Sequence, residues 1–282
     1  MSCYLCGCDK CEKRKGKVRD NSSLDILECS HCGLVYLSDF SHIEKEFYEN
    51  SGMHECDTDI NDWLKETRED DVRRYRFIKS IIDDKSVLDF GCGNGGFLLQ
   101  AQGTTSTIEG VEIEKRLEEH FLRNNLKVYP SVTTVNRCFD VITMFHVIEH
   151  ILDPVPELIK LSEKLNEGGQ IIIETPNAND ALLSLYQSDA FSECTYWSCH
   201  LYLYNQDTLA QLAKKSGLRV NYIKQTQRYS LANHLYWLAN GKPGGHLKWN
   251  FMDSHELHSE YEKQLAGIGC CDTLWASFSK LK

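Results

Sequence analysis

Three groups of residues in this 282-residue chain have the types and spacing for chemistry. The first is the run Val87-Leu88-Asp89-Phe90-Gly91-Cys92-Gly93-Asn94-Gly95-Gly96-Phe97, an apolar strand entering a glycine-rich turn and then a helix. Glycines supply the positive φ angles of such a turn and let backbone N–H groups approach a ligand. Glu112 closes the next apolar run, 21 positions after Gly91. That is close to the ~20 at which an acid reaches ribose hydroxyls in a nucleotide-binding βαβ unit. Asp89 stands before the first glycine, where it would repel a pyrophosphate but could accept from a ligand ammonium. Asp89, Gly91, Gly93 and Glu112 therefore form a candidate site for an amino-acid-bearing nucleoside.

The second group is a pair of knuckles, Cys3-Tyr4-Leu5-Cys6-Gly7 and Cys29-Ser30-His31-Cys32-Gly33. This is the spacing of tetrahedral thiolate ligation, and the glycines let N–H groups turn toward the sulfurs. Cys3, Cys6, Cys29 and Cys32 are the candidate ligands of a structural Zn2+, although Cys8 or Cys11 could displace one of them. A segment this short has no core of its own, so metal binding would supply its folding energy. The third group is His146, Glu149 and His150, which share a face if they form a helical turn. Three roles are open to them: lining a pocket, binding a divalent metal together with His200, or capping and packing.

The elements that must position these groups follow from the periodicity. From residue 85 strands alternate with helices, the pattern of an open, mostly parallel sheet. Strands are expected at 86–90, 107–112, 127–129, 139–144, 169–175, 218–226 and 271–279, and helices at 95–102, 114–124, 154–165 and 205–216. The fold class is α/β, a Rossmann-like open seven-stranded sheet with its last strand antiparallel. Residues 1–40 read as a zinc ribbon, 41–84 as a helical lid or linker, and 85–282 as the main domain with a helical cap inserted at about 227–269. In 41–84 an apolar stripe including Trp63, Tyr75, Ile78 and Ile82 is expected to pack on the sheet. Ligands of such sheets bind beyond the carboxyl ends of the strands, which here are Phe90-Gly91 and Met144-Phe145-His146. Phe145 is accordingly a candidate cofactor contact.

The glycine run with Glu112 resembles motif I of class I S-adenosylmethionine (SAM) methyltransferases, and Glu112 occupies the position of that family's ribose-binding acid. The run Phe139-Asp140-Val141-Ile142 through Glu149-His150 and Asp153-Pro154 resembles the family's motif IV region. Gly168-Gly169 with Pro176-Asn177 resembles its "GG…PN" element. The resemblance implies adenine contacts near Ser131-Val132 and a lid in which Tyr48 and Tyr75 reach the pocket. Some quinone and RNA-terminus methyltransferases of the family bind a metal through Glu-x-x-Glu-His; here His146 stands in the first position. Around His200-Leu201-Tyr202-Leu203-Tyr204-Asn205 the chain is similar to sugar-modifying methyltransferases with an N-terminal zinc module. There the matching His is the catalytic base, although the Glu that often precedes it is Cys199 here.

What the resemblance implies is methyl transfer from SAM to a sugar or nucleotide-sugar, with His200 as first choice for the base and His146 as second. Tyr202, Asn177, Arg228 and His234 are the implied substrate contacts, because aromatic faces among Asn, His and Arg suit a polyhydroxylated acceptor. Leu231, Leu235 and Leu238 could instead pack the cap down or form a homodimer contact. The alternatives are an RNA methyltransferase and a non-catalytic SAM-binding interaction module. A net charge of −10 and a pI near 5.6 count against a protein that wraps nucleic acid. No apolar run reaches the ~18 residues of a membrane span. An N-terminus of cysteines and charges, without a hydrophobic signal, leads to the expectation of a cytoplasmic protein with reduced thiols.

Overall fold

The computed structural model describes residues 2–44, 47–49 and 59–281. The N-terminal segment expected to be a ribbon contributes β1 (Cys11–Lys13), β2 (Ile26–Cys29) and β3 (Val35–Leu37). Then follow α1 (Ile60–Ile82), β4 (Ser86–Phe90), α2 (Gly96–Ala101), β5 (Thr107–Val111), α3 (Glu118–Arg123), β6 (Val128–Tyr129) and β7 (Phe139–Phe145). Next are α4 (Pro154–Glu163), β8 (Leu165–Pro176), α5 (Ala181–Ser184), α6 (Asp189–Thr195), β9 (Tyr202–Leu203) and α7 (Gln206–Lys215). The chain ends with β10 (Leu218–Thr226), α8 (Leu231–Asn240), α9 (Gly245–Lys248), α10 (His255–Gly267) and β11 (Thr273–Lys280).

The main sheet has the order β10-β11-β8-β7-β4-β5-β6. Its pairings are parallel from β8 to β6, and β11 runs antiparallel to both of its neighbours. The expected seven-stranded architecture is present. Strand order reverses between β4 and β7, so the loops after these strands diverge and leave a crevice. One face of the sheet packs against α1 and α2 through Ile78, Ile82, Phe97 and Ala101, with Val87, Ile172 and Trp275 beneath them. The other face packs against α4 and α7 through Leu158, Leu161, Leu209 and Leu212, and the ribbon's Leu24, Ile26, Leu34 and Val35 join the same cluster.

The ribbon is not a bead on a linker. β1, β2 and β3 form a second sheet whose fourth strand is β9, taken from the main domain. The helical expectation for 41–84 is only half met. Positions 45–46 and 50–58 lie outside the described residues, and 41–44 and 47–49 are turns and irregular chain. The helix begins at Ile60 because the Asp59 carboxylate accepts the N–H groups of Asn61 and Asp62, an N-cap that starts a new helix. Among the described residues no helix is long and apolar enough to cross a membrane.

Candidate functional site

A cavity of about 580 Å³ opens beyond the ends of β4, β5 and β7. Its floor is the turn after β4, where Gly91, Gly93 and Gly95 take φ values of 73°, 51° and 77°. Gly91 has a second constraint: a Cβ there would lie 2.5 Å from Val147 Cγ2. Glu112 fixes this turn. One carboxylate oxygen accepts from Gly93 N at 2.8 Å, and the other accepts from Ile113 N and Glu114 N at 2.7 and 2.9 Å. Burial pushes the Glu112 carboxyl up from the ordinary glutamate range, opposed by these N–H groups. Asp89, also in the wall, accepts from Thr143 Oγ1 at 2.6 Å, and burial raises its pKa to about 7. Ser131 and Val132 line the cavity from the loop after β6, and Phe145 lines it from the end of β7, edge-on to Phe97 at 4.9 Å.

The segment expected as a lid supplies a further wall, through residues other than the two tyrosines expected of it. α1 brings Trp63, Thr67, Asp71 and Arg74 into the cavity. The sequence expectation for this helix rests on its apolar stripe and assigns its charges no partner. In the structure Arg73 and Arg74 clasp Glu174, which is fully buried in β8, with Arg74 Nε 2.7 Å from its carboxylate. A glutamate at the end of Ile171-Ile172-Ile173, deep in a sheet, needs a buried cation, and that was the available signal. Burial raises the Glu174 pKa, but Arg74 and its neighbours outweigh this and hold it at about 2.

A carboxylate whose folded pKa lies below its unfolded value stabilises fully above that unfolded value. The contribution fades as pH falls through the interval toward the folded value. Glu174 should therefore contribute of the order of 3 kcal/mol above about pH 5, lost progressively toward pH 2. Urea titrations at pH 7 and pH 3 check this. Glu174→Gln is expected to be less stable at pH 7 and to lose less between the two pH values than the parent.

The histidines gather at the far end of the cavity. His146 follows β7 with φ 56°, a left-handed conformation costly for a residue with a Cβ. It is held by its N–H to Glu174 O at 2.8 Å, by Nδ1 to Glu149 at 3.2 Å, and by Arg228 Nη1 donating to Nε2 at 3.2 Å. Glu149, fully buried, also accepts from Thr175 Oγ1 at 3.0 Å. The histidines beside it outweigh its burial and bring its pKa to about 2. His150 lines the cavity, and its Nδ1 donates to Cys199 O at 2.7 Å. His200 stands behind it, rings 5.0 Å apart, with Nδ1 donating to Thr195 O at 3.0 Å. One ligand atom each of Glu149, His150 and His200 lies within 4.8 Å of the others. Burial, then His150, drops the His200 pKa to about 3, so its ring is neutral at any working pH.

The substrate contacts implied by the sequence are not gathered here. Tyr202 is buried under the ribbon, its hydroxyl donating to Leu152 O at 3.2 Å. The Asn177 amide is used up inside, donating to the carbonyls of Gly269 and Cys271 at 3.0 and 2.7 Å, which pins the end of β8. His234 is 1% exposed, placed between Gln227 and Tyr261 at 3.1 and 2.7 Å. Arg228 is committed to Asp70 and His146, one bond behind the cavity. Of the cap aromatics, Tyr236 packs on Trp249 at 5.1 Å and Trp237 on Phe191 of α6 at 5.3 Å, and neither Tyr236 nor Trp237 lines the cavity. Of the two expected lid tyrosines, Tyr48 lines the cavity and donates to His150 O at 3.0 Å, whereas Tyr75 bonds Thr104 at 2.6 Å outside it.

The ribbon thiols converge. Cys3, Cys6, Cys29 and Cys32 bring their sulfurs within 4.8 Å of one another, with the pairs Cys3–Cys32 and Cys6–Cys29 at 3.5 Å. Tetrahedral zinc with ~2.3 Å bonds sets sulfurs roughly 3.8 Å apart, so the set fits that ion. Cys8 instead accepts from Lys10 N at 3.4 Å, and Cys11 is exposed on β1.

Comparison with known proteins adds the following. The family described as "Methyltransferase domain" matches residues 63–223. A ubiquinone biosynthesis O-methyltransferase of Thiobacillus denitrificans is 28% identical over 178 residues, 57% of this chain and 76% of that protein. A tRNA U34 carboxymethyltransferase of Campylobacter fetus is 29% identical over 105 residues, 33% of this chain and only 37% of that protein. Among solved structures, the cyclopropane synthase MmaA2 of Mycobacterium tuberculosis superposes with a TM-score of 0.51 at 15% identity, over 74% of this chain and 84% of that one.

Proposed function

The chain belongs to the methyltransferase-domain family and is a SAM-dependent methyltransferase, and from that premise we propose that it methylates a hydroxyl oxygen of a small acceptor. Asp89, Gly91, Gly93 and Phe145 would hold SAM, with the Glu112 carboxylate accepting from its ribose, and Arg74 facing its carboxylate end. The acceptor hydroxyl would sit between the sulfonium methyl and the histidine end. The observation that carries this reading is the continuity of one cavity from the Glu112 turn to His146 and His150. The sulfonium already makes the methyl electrophilic, so alignment is the main task, for which positioning can supply ~7–11 kcal/mol. The hydroxyl proton is proposed to pass to His150, with the neutral His200 packed behind it and Glu149 balancing the transient charge.

The sequence frame around His200 favours a sugar or nucleotide-sugar acceptor, and the name of the Thiobacillus relative favours an acceptor of ubiquinone biosynthesis. An RNA acceptor has the tRNA-modifying relative in its favour. Against it, the ribbon's basic loop is matched to carboxylates of this chain, Lys15 to Asp189 at 2.8 Å and Lys17 to Glu193 at 3.4 Å.

A second reading of the chemistry is favoured by one observation. His150 and His200 both give Nδ1–H to backbone carbonyls, so each neutral ring carries its lone pair on Nε2, the arrangement of metal-binding imidazoles. A ring as weakly basic as His200 is also better suited to ligation than to keeping a proton. Glu149, His150 and His200 would then hold a divalent cation, whose Lewis acidity would lower the pKa of the acceptor hydroxyl. The ribbon thiols are proposed to hold structural zinc, with no part in the chemistry.

Calorimetry with SAM and its demethylated product tests the pocket, and isotopically labelled SAM with nucleotide sugars, dihydroxybenzoates and total tRNA identifies the acceptor. Glu112→Ala is expected to weaken SAM about 10- to 100-fold, the worth of one or two charge-assisted hydrogen bonds. Unchanged affinity in that variant would remove Glu112 from the site.

A further inference from the structure

We propose that the ribbon is an internal brace for the histidine end of the cavity, with Asp20 as the positioning residue that fixes the loop carrying His200. This rests on the reading that His200 belongs to the site. The loop from Tyr196 to Leu201 has no regular structure of its own, and His200 is held by N–H to Trp197 O at 2.9 Å and by Nδ1 to the O of Thr195, the last residue of α6. What holds the loop comes largely from the first 42 residues. Asp20 accepts Ser198 N at 2.9 Å through one carboxylate oxygen and Ser198 Oγ at 2.6 Å through the other. Arg19 N donates to Tyr196 O at 2.9 Å, and its guanidinium lies 4.3 Å over the Trp197 ring while donating to Cys194 O at 3.3 Å. His42 Nε2 reaches Ser198 O at 2.8 Å, and Leu37 N donates to Leu201 O at 3.1 Å where β3 meets β9.

The docking is also sterically built. Gly16 has φ +137°, and a Cβ there would lie 2.6 Å from the Tyr196 ring, so the basic loop can lie flat on the His200 loop only with glycine at this position. Trp197 carries the brace to the histidines, its ring 5.7 Å from His200 and 6.2 Å from His150. Leu201 N donates to Glu149 O at 2.9 Å, which ties the loop to the third member of the cluster. A module that served only to dock a partner would not need to meet Cys194, Tyr196, Trp197, Ser198 and Leu201, and a ribbon that served only stability would not need to meet them at both backbone and side chains.

The test reads the His200 ring directly. In histidine-15N-labelled protein, long-range proton–nitrogen spectra report the tautomer, and the His200 signals are those lost in His200→Ala. The parent is expected to show His200 in the Nδ1–H form alone. Asp20→Ala should mix the two tautomers and shift Trp197 emission, with SAM affinity unchanged within about twofold. Asp20→Asn, which keeps an acceptor for Ser198 N, should restore the parent spectrum. Ser198→Ala removes only the hydroxyl bond and gives the same readout if Asp20→Ala does not fold. A His200 that stays wholly Nδ1–H in Asp20→Ala and Ser198→Ala overturns the brace. So does a loss of SAM affinity in step with the tautomer change, because it means general unfolding. If His200→Ala keeps full methyl transfer, the functional reading falls instead, and the tautomer result judges the brace separately.

Discussion

Withdrawing the zinc proposed for Cys3, Cys6, Cys29 and Cys32 is expected to unfold residues 2–40 and to leave SAM binding within about tenfold of its starting value. The ribbon's own strands are three, four and three residues long, too short to persist as an isolated sheet. Structural zinc is worth ~10–16 kcal/mol in small finger domains, far more than any other single contact in this region. Burial of Leu24, Ile26, Leu34 and Val35 in the same apolar cluster as Leu209 and Leu212 works in the opposite direction and keeps part of the apo ribbon near the domain. Metal dominates because the thiol cluster itself is otherwise a set of partly buried, mutually close sulfurs. Glu112 and the Gly91 turn belong to a different sheet and do not depend on the ribbon for their hydrogen bonds.

Hydrogen exchange read by mass spectrometry, before and after a strong chelator, distinguishes these regions. Protection should disappear from β2, β3 and the loop before β9, and persist in β4, β5 and β7. Amides of the ribbon that stay protected once metal analysis shows zinc gone would refute the claim. Cys29→Ser should behave as the chelated protein does, since it removes one of the four thiolates.

The parts of the fold and site that were legible in the sequence are the parts encoded locally. The turn after β4 declares itself through glycines that only a positive φ requires, and the thiol knuckles through C-x2-C-G spacing. The alternation of strands and helices carries its own period, so all seven strands of the main sheet were found within a few residues. What could not be read are pairings across the chain. The clasp of Arg73 and Arg74 on Glu174 spans about a hundred positions, and charges on a helix look the same whether they face water or a buried carboxylate. Asn177 and His234, expected as substrate contacts, place their polar atoms in internal hydrogen bonds for the converse reason. A polar residue at a strand end or in an aromatic stretch is as useful for closing backbone or side-chain hydrogen bonds inside as for touching a ligand. The participation of β9 in the ribbon sheet was equally hidden, because two residues of strand carry no periodicity.

The same clasping of charge makes Glu149 the residue whose replacement should cost most in chemistry. Its carboxylate meets His146 and Thr175 directly and lies within 4.8 Å of His150 and His200, so it is the common counter-charge of the histidine end. Glu149→Gln keeps the shape and an acceptor for Thr175 but removes that charge. Methyl transfer to the acceptor found by labelling should fall about 10²–10⁴-fold, the range associated with losing proton-transfer assistance. SAM affinity should hold, because Glu149 makes no bond to the Gly91 turn. The fall should appear in kcat more than in KM, since the charge matters as the hydroxyl loses its proton and hardly before. A divalent cation separates the two chemical readings. If Glu149, His150 and His200 bind one, calorimetry with Mn2+ or Zn2+ should show a site beyond the ribbon's in the parent and none in Glu149→Gln. If the histidines act alone, neither protein takes up the extra ion and the loss in kcat remains. Turnover preserved in Glu149→Gln would defeat both readings and return the histidine end to a purely architectural role.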